Sequence, residues 1–221
     1  MGFASPRLGT VTVTDALAAA VRDRILDGEL PPGTALTEVE VARDYRVSRP
    51  TAKTALRQLV HQGLLRQDAH HPARVPVLTA SDIADLFLIR TPLEIAAIER
   101  VVALPDRTAA LKGAADAVRQ LRDLDRDAPH SAFVAADLRF HRELIDLADS
   151  PRLSRIYEGL QGEIHLCMVQ TRFALGRDRI LREHGRILRS LQRGDAAEAG
   201  ELMRSHLDGA RNALLARLAS G

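Results

Sequence analysis

The sequence predicts a mostly α-helical chain, with an N-terminal winged helix-turn-helix over residues 14–78 and an antiparallel six-helix bundle over residues 79–221. Three observations predict it. Apolar residues recur at three- and four-residue spacing along most of the chain. Strand-like patterning is confined to a short stretch after Gly63. The aromatic share is only 3%, and the many Ala and Leu residues suit close packing between helices.

Residues 1–13 read as a flexible N-terminus. Thr14 or Asp15 is then placed to cap a helix through Leu17, Val21, Ile25 and Leu26, which stops at Gly28 before the turn LPPG. Thr37 and Glu40 form a capping-box pattern for a short second helix that ends near Tyr45. Ser48 caps a third helix, residues 49–61, whose first turn tolerates Pro50 because the first amides of a helix have no internal acceptor to lose. Ala52, Ala55, Leu56, Leu59 and Val60 form its buried face, and Gly63 ends it. The tip HHPA and the run RVPV then predict a small hairpin.

From Thr79 onward the pattern is helical, with breaks at LPD (104–106), APH (128–130), DSP (149–151), LGRD (175–178) and RGD (193–195). Five breaks divide the segment into six helices.

Length and composition fit a two-domain globular protein. The sequence has no apolar run long enough to span a bilayer and no basic start followed by an apolar core, so a cytoplasmic protein without a membrane partner is expected. The one cysteine, Cys167, has no internal partner and reads as a small buried hydrophobe. Net charge is only +2, but residues 46–74 carry Arg46, Arg49, Lys53, Arg57, Arg66 and Arg74 against Asp68 alone, a candidate phosphate-facing surface.

On the third helix Arg49, Lys53 and Arg57 fall at four-residue spacing opposite the apolar face, one basic stripe. The segments ILDGELPPGTAL and VARDYRVSRPTAKTALRQLVHQGLL resemble the GntR superfamily of bacterial transcription regulators. The resemblance implies that Ser48, Arg49, Thr51 and Lys53 contact phosphates and bases of double-stranded operator DNA, with the wing tip reaching the minor groove. Two positions depart from the family. Lys53 stands where an arginine is usual, and lysine lacks the planar fork that reads guanine twice. The wing has His70-His71-Pro72-Ala73 where a glycine is usual.

The stretch VAADLRFHRELI carries the second functional signal. Val134, Asp137, His141 and Ile145 share one helical stripe, which puts an acid and an imidazole one turn apart between apolar neighbours. His184, among Ile180, Ile187, Leu188 and Leu191, and His206, among Leu202, Met203 and Ala210, occupy similar stripes. Four inward polar groups need partners. One divalent cation would serve all four, and this donor set suits zinc, nickel, manganese or iron; a hydrogen-bonded polar core is the alternative.

LIRTPLEIAA and DLRFHRELIDLADSPRL resemble the FCD domain, the effector domain of the FadR subfamily, which makes the bundle FCD-like. The resemblance implies that Asp137, His141, His184 and His206 are the metal ligands and that Arg90 pairs with a small carboxylate effector. Without it, Arg90 reads equally as an exposed residue pairing with Glu94. His165 and Arg172 lie on a more polar stripe, consistent with a cavity wall, a surface or a dimer contact.

The whole sequence therefore reads as a homodimeric regulator, a repressor by preference, that binds a palindromic operator and answers to a small organic acid at a metal site. The rival readings are a metal-dependent hydrolase and a metal-sensing regulator. The hydrolase reading lacks a base, since spacing places no carboxylate other than Asp137 beside the ligands.

Overall fold

A computed structural model describes residues 12–171 and 175–220. The first helix, α1 (Val13–Leu26), is capped by Thr12, whose side chain accepts from the Asp15 amide. The expected cap at Thr14 or Asp15 therefore falls two or three residues too late, and the helix takes in Val13 with Thr12 as its cap. The rest of the flexible segment expected at the N-terminus lies outside the described residues. Asp27 ends the helix and Gly28 follows with φ of 81°, a conformation that glycine adopts without a Cβ penalty.

After strand β1 (Ala35–Leu36) comes α2 (Glu38–Asp44), capped by Thr37 as expected. The Glu40 carboxylate accepts from the Thr37 hydroxyl rather than from the Thr37 backbone amide. Arg46 turns the chain in the left-handed region, φ 54°, before α3 (Arg49–His61). Ser48 caps α3 by accepting from the Thr51 amide, and Ala52, Ala55, Leu56 and Leu59 are buried on its inner face. These residues pack α3 against α1 and α2.

The hairpin differs from expectation in its partner. Strand β2 (Ala73–Arg74) pairs antiparallel with β1, which precedes α2, while the upstream arm of the hairpin is reduced to a single bridge between Arg66 and Arg74. The sheet thus ties the wing back to the strand before α2, and the wing tip lines a cleft together with α3. Buried Leu64, Leu65 and Val75 anchor the wing below its tip.

The bundle contains α4 (Ala80–Val102), the one-turn α5 (Arg107–Ala110), α6 (Lys112–Asp123), α7 (His130–Leu147), α8 (Pro151–Gln170), α9 (Arg177–Arg193) and α10 (Ala196–Ala219). All five anticipated breaks are present. The added boundary is at Leu111, which separates α5 from α6. A full capping box joins Thr79 to Asp82 at the start of α4. Helix α4 packs along α10 and also against α7 and α8, so it runs through the centre of the bundle.

The two parts touch through named contacts. Arg66 pairs with Asp82 at the start of α4 and with Glu163 on α8, each at 2.8 Å. A Cβ on Gly162 of α8 would stand 2.0 Å from the carbonyl oxygen of Gln62, so only glycine lets α8 approach the end of α3 this closely. Ser131 on α7 donates to Asp27 after α1 at 2.7 Å.

Candidate metal centre and nucleic-acid interface

Asp137 and His141 on α7, His184 on α9 and His206 on α10 converge in the bundle interior, each with one donor atom within 4.8 Å of the others. All four are buried. The His206 Nε2 lies 3.3 Å from the Nε2 of His141 and 3.3 Å from that of His184. Asp137 Oδ1 is 3.4 Å from the His184 Nε2. The helical spacing explains the convergence: residues 137 and 141 stack one turn apart on the inward face of α7, below Val134 and above Ile145, both fully buried.

Two further carboxylates orient the rings. His141 Nδ1 is 2.6 Å from Glu94 Oε2, and His206 Nδ1 is 2.8 Å from Glu183 Oε2. Each carboxylate takes the Nδ1–H, which leaves the Nε2 lone pair of both rings pointing into the cluster. Sequence reasoning placed no carboxylate but Asp137 beside these ligands; Glu94 and Glu183 correct that. Glu94 arrives from α4 across 47 residues of chain, a contact no local spacing reveals. Glu183 precedes His184 in sequence but serves His206, because α9 and α10 pack side by side.

The charges follow from burial and pairing. Burial alone would raise the Glu94 pKa, but the Arg90 guanidinium and His141 hold it well below the usual carboxylate range. Burial lowers the His141 pKa and outweighs the opposing pull of Glu94. His184 is pushed well below its ordinary value by burial and by its two histidine neighbours, and its ring stacks on Phe140 at 4.1 Å. Neutral imidazoles with inward lone pairs are the form that coordinates a metal.

These residues fit a divalent cation on their own chemistry. With both Nδ1 protons committed to carboxylates, the His141 and His206 Nε2 atoms are two acceptors facing each other at 3.3 Å. Asp137 Oδ1 is buried without a hydrogen-bond donor among the described residues. Acceptors gathered around one point in an apolar interior are costly unless a positive centre joins them. Separations of 3.3–3.4 Å are of the size that donors about 2.0–2.1 Å from a common zinc-sized ion would have.

Arg90 is buried rather than exposed, at 1% accessibility. Its Nε donates to Glu94 Oε1 at 2.6 Å, and the Tyr157 hydroxyl donates to the same oxygen at 3.0 Å. The pairing with Glu94 expected of a surface residue is therefore real but internal. Burial would lower the Arg90 pKa; Glu94, Tyr157 and Asp137 together hold it above its ordinary value. Nη2 of Arg90 has no hydrogen-bond partner among the described residues. His165 stands elsewhere, between α8 and the first domain, beside Arg22 and Gln62. Arg172 lies outside the described residues.

On the first domain Arg49 and Lys53 are exposed along one side of α3 and line a cleft of about 720 Å³ between α3 and the wing tip. Ser48 Oγ lies 2.7 Å from Thr51 Oγ1, so both expected contact residues are fixed by the cap of α3. Lys53 pairs loosely with Glu38 at 3.8 Å. His70 adopts φ of 65° at the wing tip, the conformation that a glycine supplies more cheaply. Arg66 is not available to phosphate in the way its sequence position suggested, because it is engaged by the bundle.

A winged helix with an exposed basic stripe, joined to a helical domain with a buried donor cluster, is the architecture of a two-domain DNA-binding regulator. Comparison with known proteins makes the assignment specific. Residues 13–75 match the bacterial regulatory proteins of the gntR family and residues 85–209 match the FCD domain. The chain belongs to the GntR family, in the FadR-like branch that carries an FCD domain, and is a DNA-binding transcription regulator. It is 27% identical over 192 residues to the "Uncharacterized HTH-type transcriptional regulator YdhC" of Bacillus subtilis, covering 85% of this chain and 84% of that one. It is 26% identical over 208 residues to the "Probable D-xylose utilization operon transcriptional repressor" of Paenarthrobacter nicotinovorans, covering 94% and 91%. Among solved structures, a transcriptional regulator, GntR, from Rhodococcus sp. RHA1 superposes with a TM-score of 0.78 at 25% identity, covering 92% of this chain and 97% of that one. No helix among the described residues is long and apolar enough to cross a membrane.

Proposed function

We propose that the protein is a homodimeric repressor whose bundle holds one divalent cation and answers to a small organic acid. Residues 14–78 read the operator and residues 79–221 sense the effector and dimerise. One observation carries this reading: two acceptor nitrogens, a third imidazole and an orphaned carboxylate oxygen gather at one buried point.

Asp137, His141, His184 and His206 would hold the cation. When bound, it supplies Lewis-acid positions that take a water or a carboxylate oxygen. Glu94 and Glu183 fix the rings of His141 and His206 by taking their Nδ1 protons, which turns the Nε2 atoms toward the cluster and makes them better donors to a cation. The free Nη2 of Arg90 receives the effector's carboxylate through a charge-assisted bond.

Any change at Arg90 is felt by Glu94, and through Glu94 by Tyr157 on α8. Tyr157 lies five residues before Gly162, roughly 7–8 Å along a helix axis. Gly162 touches the carbonyl of Gln62, at the end of the reading helix. Helix α8 thus contacts both the residues that support the donor cluster and the C-terminal end of α3, a contiguous path between the two domains.

The hydrolase reading fares poorly because Glu94 and Glu183 hold the Nδ1 sides of the rings, away from the inward Nε2 atoms where a reacting water would sit. The dimer contact would cover the apolar residues exposed on α4 and α8, Leu88, Ile89 and Ile156. The direct test is operator binding by the metal-loaded protein in the presence of a panel of small mono- and dicarboxylates. At least one acid should shift affinity about 5- to 150-fold, and Arg90→Gln should abolish the shift. Identical operator affinity with every acid would overturn the effector assignment.

A further inference from the structure

We infer that Val39, on α2, reads a thymine methyl group in the operator. The inference rests on the DNA-reading face described above and extends it to a second helix.

Val39 is 52% exposed. It lines the cleft between α3 and the wing tip, together with Arg49, Lys53, His70 and His71. Leu36 and Leu56 also border that cleft but are buried, so Val39 is the large aliphatic side chain that the described lining leaves in water. The other long side chains exposed on this cleft, Arg49, Lys53, Arg57, Gln67, His70 and His71, are charged or hydrogen-bonding. Valine has no donor or acceptor, so it cannot contact phosphate productively. In the major groove the one apolar feature of a base pair is the thymine C5-methyl.

The neighbouring residue biases where that contact falls. The Glu38 carboxylate lies 3.8 Å from the Lys53 ammonium, a loose pair that inclines Lys53 toward α2. Val39 and Lys53 then face the same stretch of the groove, and the thymine read by Val39 lies beside the base or phosphate met by Lys53. Glu38 adds selectivity of its own kind, since a carboxylate there repels a misplaced phosphate backbone.

The test uses the full-length protein and duplexes selected by it from a random pool. Each thymine of the selected site is replaced singly by deoxyuridine, which removes only the methyl group, and affinity is measured at fixed salt. One thymine in each half-site should lose roughly fourfold in affinity, the value of one buried methyl. Val39→Ala should bind the thymine duplex that much more weakly and should no longer distinguish thymine from uracil at that position. Circular dichroism should be unchanged, because the side chain is exposed. A wild-type protein indifferent to every thymine methyl, or a Val39→Ala protein that keeps the full discrimination, overturns the inference while leaving DNA binding intact. A wild-type protein that selects no duplex overturns the DNA-reading face itself.

Discussion

The His141 ring and the Glu94 carboxylate meet across 2.6 Å in the bundle interior, although 47 residues separate them in sequence. This one bond sets the tautomer of a candidate ligand and anchors the buried Arg90. Glu94 accepts from Arg90, His141 and Tyr157 at once, so it joins the donor cluster to α4 and α8.

Glu94→Gln removes the charge but keeps the shape. It should lower metal affinity about 10- to 100-fold, the usual cost of losing such a supporting carboxylate. It also leaves the Arg90 guanidinium buried without its counter-charge, at a cost of roughly 3–5 kcal/mol. Metal titration and thermal unfolding of the same sample check both effects. Wild-type affinity and stability would show that Glu94 does neither.

Lys53→Ala should weaken operator binding by about 1–3 kcal/mol if the ammonium meets a base. Folding should be unaffected, since Lys53 is exposed and its partner Glu38 is held only loosely. Fluorescence anisotropy at one salt concentration decides it. Unchanged affinity would remove Lys53 from the reading surface.

Leu88, at 68% accessibility on α4, is the most exposed of the large apolar residues on the bundle. Leu88→Arg should shift the protein from dimer to monomer in sedimentation velocity at micromolar concentration without lowering its helix content. A wild-type protein that sediments as a monomer contradicts the dimer outright.

His165 gives a pH dependence separate from the donor cluster. Burial lowers its pKa to about 4, with the Ser131 backbone, His130, Asp27 and Arg22 contributing less. The unfolded value is about 6.5. Above pH 6.5 the residue is neutral in both states. Between pH 6.5 and 4 the unfolded chain binds a proton that the folded chain refuses, so the stability present above pH 6.5 is lost as pH falls. By pH 5 the loss from this residue should be about 1–2 kcal/mol. His165→Gln should lose correspondingly less between pH 7.5 and pH 5 in urea titrations; equal losses would show that His165 titrates normally.

Much of this architecture is legible in the sequence because it is local. Caps at Thr37 and Ser48, the break residues of the bundle and the inward stripe through Asp137 and His141 depend on spacing alone. What escaped is non-local. Nothing near Ala73 says that its strand partner is Leu36, on the far side of two helices. Arg66 sits in a basic stretch, yet two carboxylates from α4 and α8 claim it. Glu94 and Glu183 support histidines on other helices, and no periodicity links them. The shift of the first cap from Thr14 to Thr12 is a different failure, since three candidate cap residues, Thr12, Thr14 and Asp15, lie within four positions.

The central claim is that the buried Asp137, His141, His184 and His206 cluster holds a divalent cation. Elemental analysis of the wild-type protein, purified without chelators and supplemented with zinc, nickel, manganese or iron, tests it most directly. A metal-to-chain ratio near one is expected for at least one of these metals, falling strongly in His141→Ala while the first domain stays folded. A ratio near zero with every metal would contradict the claim and leave the four residues as a polar core held by Glu94 and Glu183.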